Sequence, residues 1–470
     1  MVKDLWALRL PLILENLKTS LDKPSDAESG TDQSPKLYSS QNDTTDIDSE
    51  DEQKLSWERK APSVLDSVGI CYIAMTLLRI PSSLGDYYRW ASIDQSLHLQ
   101  PLKLIPVEMR RQLPIKYLSL LETTTAIRPD RLHKSVFDLI ALYKRHFKLE
   151  IPPLNYPHLL FHYIHELALP IQVFTIVNSL SALLSNPFSF APPKFRQPLT
   201  TLPELRLLSL LIIALKLNFP FDGYTRYARS ITSAGYLKIN WTHWLEVHSH
   251  LTTVSQSQAP FLPGGEAQVK ESDVFSLSNE KLDSYMDWYE RTFIDERSSR
   301  FASNDLERDL IDLFPTGRHS SQPAAPVRIP DDETDLSSAS KTAIVDAIKA
   351  VQGAIEPRGV ISDERAESQP KPLPRIGDGY RIYRKEEELE GDAKGIFEIV
   401  ARKAGISVRL LLDAVWKTER KLMVWKEKRD KEDDGLAERL KSTDFSEGRT
   451  ADAHDAPRYH VKDKGKAKMT

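Results

Sequence analysis

Hydrophobic positions are densest at residues 201–223, which read TLPELRLLSLLIIALKLNFPFDG. Nearly every position of residues 205–217 is apolar, and a helix that is apolar on all sides has to be buried on all sides. Three polar side chains, Arg206, Ser209 and Lys216, leave the uncharged run well short of the ~20 residues that cross a bilayer. The pattern therefore predicts the central helix of an all-α domain rather than a membrane span.

The ends of this helix carry their own signals. Thr201 and Glu204 have the spacing of a capping box, in which the two residues exchange hydrogen bonds between side chain and backbone. Pro203 suits the first turn, where a backbone N–H is not needed. Asn218 and Pro220 are expected to stop the helix. We therefore predict a helix that is capped by its own Thr201 and Glu204.

Amphipathic helices are predicted on both sides of the central helix, because apolar residues recur there at helical spacings. The preceding segments are SVLDSVGICYIAMTLLRI, RPDRLHKSVFDLIALYKRHFKL, NYPHLLFHYIHELAL and PIQVFTIVNSLSALLS. The following segments are YLKINWTHWLEVHSHL, NEKLDSYMDWYERTF and GDAKGIFEIVARKAGISVRLLLDAVWKTERKLMVWKEKR, with SKTAIVDAIKAVQGAI as a further candidate helix.

Composition divides the chain into ordered and disordered parts. Segments rich in Ser, Pro and acidic residues have too little apolar surface to offset the entropy of ordering. The expected parts are a helical strip at 1–18, an acidic disordered linker at 19–56, a first helical domain at 57–223, the start of a second at 224–316, a mostly disordered insertion at 317–376, the end of the second helical domain at 377–430 and a charged disordered tail at 431–470.

Charge and cysteine content exclude some classes of protein. The formal net charge of −4 is too small to identify a partner, so local patches have to carry that argument. The single cysteine, Cys71, excludes an internal disulfide framework and a Cys-rich zinc module in this chain. Asp4 and Arg9 interrupt the apolar N-terminal run, so we expect neither a signal peptide nor a membrane partner.

Among the residues of this sequence, the histidines come closest to the pattern of a metal site. His158 and His162 lie four residues apart, which places both imidazoles on one helix face as in zinc ligation, but the glutamate of a zinc protease is missing between them. A second group, His243, His248 and His250, has no cysteine partner. With no phosphate-binding loop or nucleophile elbow, the sequence predicts no catalytic residue, no metal, no cofactor in this chain and no small-molecule substrate. An enzyme is not expected.

Basic side chains are the candidates for nucleic-acid contact, since lysine and arginine bind phosphates by releasing counterions. The alternative is that these charges only solvate a helix face. The candidate contacts to the DNA backbone are Arg110, Arg111, Arg131, Lys134, Lys144, Arg145 and Lys148.

The N-terminal strip has two interpretations. A short helix of this kind is not stable alone in water, so it has to dock on something. It packs on its own domain or on a partner protein, and Pro11 is expected near its start or at a break. The candidate docking residues are Leu5, Trp6, Leu8 and Leu10.

Several segments together resemble a known family. LLIIALKLNFPFDG at 210–223, VKDLWALRLPLILE at 2–15, LLRIPSSLGDYYRWASIDQSLHL at 77–99 and LPIQVFTIVNSLSALL at 169–184 resemble, in this order, the TFIIB-like subunit of the RNA polymerase I core factor. The resemblance implies an all-α chain with tandem cyclin-like folds, its domains at 57–223 and from 224 onward. It also implies a family-like structural core formed by Leu210, Leu211, Ile213, Leu215, Pro220, Phe221 and Asp222.

The family resemblance implies a function as well. Such proteins work in the nucleus and nucleolus with the other core factor subunits, RNA polymerase I and promoter DNA, and help to assemble the pre-initiation complex at ribosomal RNA genes. The family begins with a zinc ribbon, whose cysteines are absent here; either the ribbon is lost or an upstream segment that binds Zn²⁺ precedes Met1. Two alternatives stay open: a cyclin-like regulatory subunit of a kinase, and a helical scaffold that does not bind DNA.

Overall fold

A computed structural model describes residues 1–21, 63–93, 101–113, 127–185, 188–190, 198–233, 235–256, 271–293, 333–362 and 373–447, with a few isolated positions between them. Most of the acidic linker predicted at 19–56 lies outside these ranges, as do 317–332 and the last residues of the tail. The chain forms two compact units, Met1–Glu419 and Arg420–Thr470.

The described residues are almost entirely helical. In chain order the elements are α1 (Val2–Leu21), α2 (Val64–Leu77), α3 (Leu84–Ile93), α4 (Val107–Gln112), α5 (Pro129–Phe147), α6 (Tyr156–Glu166), α7 (Gln172–Leu183), α8 (Pro203–Asn218), β1 (Leu237–Lys238), α9 (Trp241–Gln256), α10 (Asn279–Phe293), α11 (Glu333–Gly353), β2 (Glu356–Pro357), α12 (Gly391–Ala404) and α13 (Val408–Glu447). The two short strands pair antiparallel. No helix in the described part of the chain is long and apolar enough to cross a membrane.

Helix α8 is the predicted central helix, and its burial is confirmed. Every residue from Leu207 to Leu215 is buried, and the apolar ones among them are at most 1% exposed. Helices α6 and α7 pack against it, and α13 contributes Thr418, whose hydroxyl lies 2.9 Å from that of Ser209. An all-round apolar helix is enclosed here because elements from both sides of it in the sequence cover it.

The predicted capping box is wrong. Leu202 is the N-cap residue of α8 and makes no side-chain cap, while Thr201 lies in a 3₁₀ turn and donates to the Pro198 carbonyl at 2.8 Å. Glu204 points away from its own helix end and is 1% exposed. Its carboxylate accepts hydrogen bonds from neighbouring helices instead. Burial of a carboxylate is unfavourable unless it is hydrogen-bonded, and here the neighbouring helices supply the donors.

Three helices supply the donors to Glu204. The backbone N–H of Leu84, at the start of α3, lies 3.0 and 3.2 Å from the two carboxylate oxygens. The hydroxyls of Tyr163 on α6 and Tyr72 on α2 donate at 2.5 and 3.4 Å. One side chain therefore joins α2, α3 and α6 to α8.

The polar residues near the end of α8 are paired inside the protein. Lys216 forms a buried ion pair with Glu419 of α13, and its ammonium lies 4.5 and 4.8 Å from the ring centroids of Tyr380 and Tyr383. Burial lowers the pKa of Lys216, and the contact with Glu419 opposes this effect. The charge of Lys216 is thus stabilised inside the protein by one carboxylate and the faces of two aromatic rings.

Three expectations about order and helix ends need correction. Pro11 lies inside a continuous α1 rather than at its start or at a break. The insertion expected to be mostly disordered contains α11, β2 and bridges that pair Ala228 with Val360 and Tyr227 with Arg375. Helix α13 continues to Glu447, into the segment expected as a disordered tail. Most of the candidate helix SKTAIVDAIKAVQGAI lies in α11. In this segment the helical spacing of apolar residues predicted the structure correctly, and the polar composition around it did not.

The segment from α12 to the start of α13 packs against helices far away in the sequence. A Cβ atom on Gly85 would lie 2.1 Å from the carbonyl oxygen of Lys403, so α3 approaches the end of α12 more closely than any side chain allows. The N–H and the hydroxyl of Ser407 donate to the Asp130 carboxylate of α5 at 2.8 and 2.6 Å. Residues beyond 390 therefore complete the same core as α3, α5 and α8.

We expect Glu204→Gln to remove a pH dependence of stability. Burial raises the pKa of Glu204 to about 7, opposed by the hydrogen bonds from Tyr163 and Leu84. Because the folded-state pKa is above the unfolded value, the contribution to stability is full below about pH 4.5 and is lost as pH rises through about 7, by roughly 3 kcal/mol. The variant also loses one hydrogen bond, a loss of about 1–3 kcal/mol at every pH.

Denaturant unfolding at pH 5, 6, 7 and 8 measures this effect. The gap in unfolding free energy between wild type and Glu204→Gln should narrow as pH rises, whereas the exposed control Glu387→Gln should keep a constant gap. A gap between wild type and Glu204→Gln that is independent of pH would contradict the assignment.

Candidate functional site

Helix α5 carries most of the candidate DNA contacts, and its inner face fixes its position. Pro129 opens the helix at a position that needs no N–H donor, and Lys148 closes it in a left-handed conformation at φ 51°. The inner face packs against α2, where Asp66 accepts from Ser135 at 2.7 Å. The buried inner residues are Leu132, Val136, Leu139, Ile140 and Tyr143.

The outer face of α5 carries a row of basic residues. At 100° and 1.5 Å per residue, Arg131, Lys134 and Arg145 fall within about 60° around the helix axis and extend over about 21 Å, and Lys148 follows them at the C-cap. Asp138 lies on the same face and offsets one of the positive charges. The four exposed residues, called the α5 basic face below, are Arg131, Lys134, Arg145 and Lys148.

Two other candidate contacts face the protein itself. Lys144 is partly buried and donates to the Phe190 carbonyl at 2.6 Å, and burial lowers its pKa. Arg110 donates to the Ile105 carbonyl at 3.3 and 3.4 Å beside the start of α4. Arg111, the next residue on α4, is exposed. The structure therefore leaves Lys144 and Arg110 in internal contacts and does not group them with the α5 basic face.

The N-terminal strip has one side that packs on its own domain and another side that is exposed. Leu5 is buried, and its carbonyl accepts from the Tyr143 hydroxyl of α5 at 2.9 Å. Arg9 pairs with Asp66 at 2.8 Å and fixes α1 against the start of α2. Leu8 and Leu10 are exposed and Trp6 is half-buried. Part of the strip thus packs on its own domain, and part faces outward.

The turn after α8 is held by polar and aromatic contacts. Leu210, Leu211, Ile213 and Leu215 are buried, as a structural core requires. Beyond them, Asp222 forms a bidentate pair with Arg226, and the ring of Phe221 meets Trp241 edge to face at 5.1 Å.

A narrow polar cleft lies beside this turn. Pro220 lines it together with the segment from Gly377 to Tyr383. The guanidinium of Arg226 donates to the Asp378 carbonyl at 3.0 and 2.8 Å across the cleft. Arg226 is therefore held by Asp222 and by main-chain oxygen, and Lys216, which also lines the cleft, is held by Glu419.

His162 of α6 lies in a cluster that does not include His158. His162 instead approaches Asp86 of α3 at 3.4 Å and Glu166 at 3.8 Å, and these three ligand atoms lie within 4.8 Å of one another. Arg89 donates to both carboxylates, at 2.9 Å to Glu166. A guanidinium therefore supplies positive charge where a metal ion would otherwise do so. The hydrogen bond to Asp86 raises the pKa of His162, against the effect of burial.

Sequence reasoning missed this cluster because its acidic partner comes from another helix. Asp86 follows Ser83, with which it exchanges side-chain and backbone hydrogen bonds at 3.0 Å at the start of α3. The three-residue spacing of Ser83 and Asp86 is that of a helix cap, so it is a signal for the start of α3, which the prediction from sequence did not use. Nothing in the sequence showed that α3 would lie beside α6.

Comparison with known protein families identifies two helical domains in this chain. Sequence models of the N-terminal and C-terminal cyclin domains of Rrn7/TAF1B match residues 1–107 and 126–293. The protein is thus an all-α chain with two cyclin domains in tandem, as expected. It belongs to the Rrn7/TAF1B family. The boundary that we predicted between the two domains, at residue 223, stays a prediction.

Individual relatives are more distant. RNA polymerase I-specific transcription initiation factor rrn7 of Schizosaccharomyces pombe is 23% identical over 334 residues, which make up 67% of this chain and 60% of the relative. The chain therefore spans less than two-thirds of that relative's length. A crystal structure of the S. cerevisiae core factor is similar with a TM-score of 0.46 and 15% identity, over 90% of each chain.

Proposed function

We propose that this protein is a subunit of the RNA polymerase I core factor. In this role it helps to bind the core promoter of ribosomal RNA genes and to recruit the polymerase for initiation. The observation that carries the proposal is the match of both Rrn7/TAF1B cyclin domains in their expected order. The name of the fission-yeast relative, an RNA polymerase I-specific initiation factor, supports the same role.

The mechanism is one of positioning rather than chemistry. Helix α5 packs against α2 and α3, and Glu204 joins both of these helices to the enclosed helix α8, so the frame as a whole holds α5 in place. The α5 basic face contacts DNA phosphates and contributes affinity without reading sequence, while other helix faces hold the remaining core factor subunits and the polymerase. No covalent bond is made or broken, so the protein is not an enzyme. Its place of action is the nucleus, and within it the nucleolus.

Affinity purification tests the proposed complex. The tagged chain, purified from nuclei, should recover the other core factor subunits and RNA polymerase I. Recovery of a protein kinase with no core factor subunit would instead support a cyclin-like kinase regulator and would reject the proposal.

We expect removal of the α5 basic face to weaken binding to promoter duplex and to reduce its dependence on salt. Each phosphate contact contributes about −0.9 to the slope of log K against log salt, so a variant that lacks all four charges should show a slope smaller in magnitude by about 3 to 4. The measurement is fluorescence anisotropy with core promoter DNA between 50 and 200 mM salt. The variant changes Arg131, Lys134, Arg145 and Lys148 to Gln.

A matched control removes two exposed arginines and two exposed lysines that lie elsewhere in the protein. The control has the same net charge as the first variant but keeps the α5 basic face. It should therefore keep the wild-type dependence of DNA binding on salt. An equal loss of slope in both variants would show that the α5 basic face has no special role. The control changes Arg229, Lys238, Lys394 and Arg409 to Gln.

A further inference from the structure

A cluster of charged side chains lies where three parts of the chain meet. Asp86 and Arg89 come from α3, in the first matched range, and His162 and Glu166 come from α6, in the second. Lys403 belongs to α12, beyond both ranges, and interacts electrostatically with both carboxylates. Burial lowers the pKa of Lys403, and its interaction with Glu166 opposes this effect. The cluster therefore lies at the joint that brings α3, α6 and α12 together.

The imidazole of His162 lies between the two carboxylates. Its Nε2 is 3.4 Å from Asp86 Oδ2 and 3.8 Å from Glu166 Oε2. Ionised carboxylates only accept hydrogen bonds, so Nε2 has to carry a proton. Both carboxylates are buried, and among the described residues Glu166 Oε2 has no hydrogen-bond partner. A second proton, on Nδ1, therefore adds a positive charge beside two buried negative ones.

The other charges of the cluster set the protonation of this imidazole. The hydrogen bond to Asp86 raises the pKa of His162, and the negative charges of Glu166 and Asp86 act in the same direction. Burial and the positive charge of Arg89 oppose them, but the pKa remains above its ordinary value. The folded protein therefore favours the charged imidazole more than the unfolded chain does.

The neighbouring helices carry other titratable groups. On α8, Glu204 binds a tyrosine hydroxyl of α6. On α11, Asp346 and Lys349 form an exposed pair with each other at 3.5 Å. On α9, which packs against α12, burial lowers the pKa of His248 to about 4, so this histidine stays neutral. Of these neighbours Glu204 titrates in the same pH range as His162, so an experiment has to separate the two.

We propose that His162 makes the joint between α3, α6 and α12 sensitive to pH. The charged imidazole attracts Asp86 of α3 and Glu166 of α6. Asp86 follows Gly85, the residue whose backbone lies against the main chain of Lys403, so a displacement of α3 at Asp86 is passed directly to α12. The attraction is complete below the ordinary histidine pKa of about 6.5 and is lost as pH rises through the raised value. At higher pH the contact of α12 with α3 then opens more often.

Hydrogen exchange of the full chain, at several pH values between about 6 and about 8, tests the proposal. The α3 and α12 amides should be better protected in wild type than in His162→Gln. The ratio of the two protection factors should fall as pH rises, by at most about tenfold per pH unit because one proton is involved. Glu204 is present in both proteins, so its titration cancels in this ratio. The matched control, His158→Gln, changes an exposed histidine of the same helix and should behave like wild type.

The titration of His162 in the wild-type protein is a second measurement. The Cε1–H resonance of His162, assigned by its loss in His162→Gln, should titrate with a midpoint above about 6.5. The variant Asp86→Asn should lower this midpoint, because the carboxylate that most stabilises the charged imidazole is gone. A wild-type midpoint at or below about 6.5, or a protection ratio for α12 that is independent of pH, would overturn the proposal.

Discussion

The arrangement of the helices depends on one buried carboxylate. Glu204 lies on the central helix α8 and accepts hydrogen bonds from α2, α3 and α6: one from each of two tyrosine hydroxyls, and one from the backbone N–H of Leu84, which is shared between both carboxylate oxygens. Removing such a group from water is unfavourable unless donors surround it. The three neighbouring helices satisfy it in the same placement that encloses the apolar length of α8.

The burial of α8 could be predicted from sequence, but the role of Glu204 could not. An apolar residue at every helical position leaves no exposed face, so enclosure follows from local pattern alone. The Thr201 and Glu204 spacing was equally local, yet the carboxylate found better partners on other helices. Lys144 and Lys148 illustrate the same limit: both lie at the end of α5, and only the return of the chain at Phe190 decides that Lys144 points inward. Side-chain roles that depend on distant elements need the fold.

The core extends beyond the sequence ranges that define the two cyclin domains. The matches end at residue 293, yet Ser407 binds Asp130 of α5, and the end of α12 packs closely against Gly85 of α3. Composition placed this segment after a long insertion and gave no sign of where it would pack. The packing of α12 and α13 joins α3, from the first matched range, to α5 and α8, from the second. The C-terminal helices are thus part of the structural frame that presents the α5 basic face.

The ion pair between Lys216 and Glu419 also constrains the order of events during synthesis on the ribosome. Its two members are separated by 203 residues, which at about 5–20 residues per second are translated in roughly 10–40 s. Throughout that interval the nascent chain carries Lys216 on an apolar helix before its carboxylate partner, Glu419, has been synthesised. The emerging protein therefore passes through a long-lived incomplete state, in which chaperones that bind exposed apolar helices have time to act.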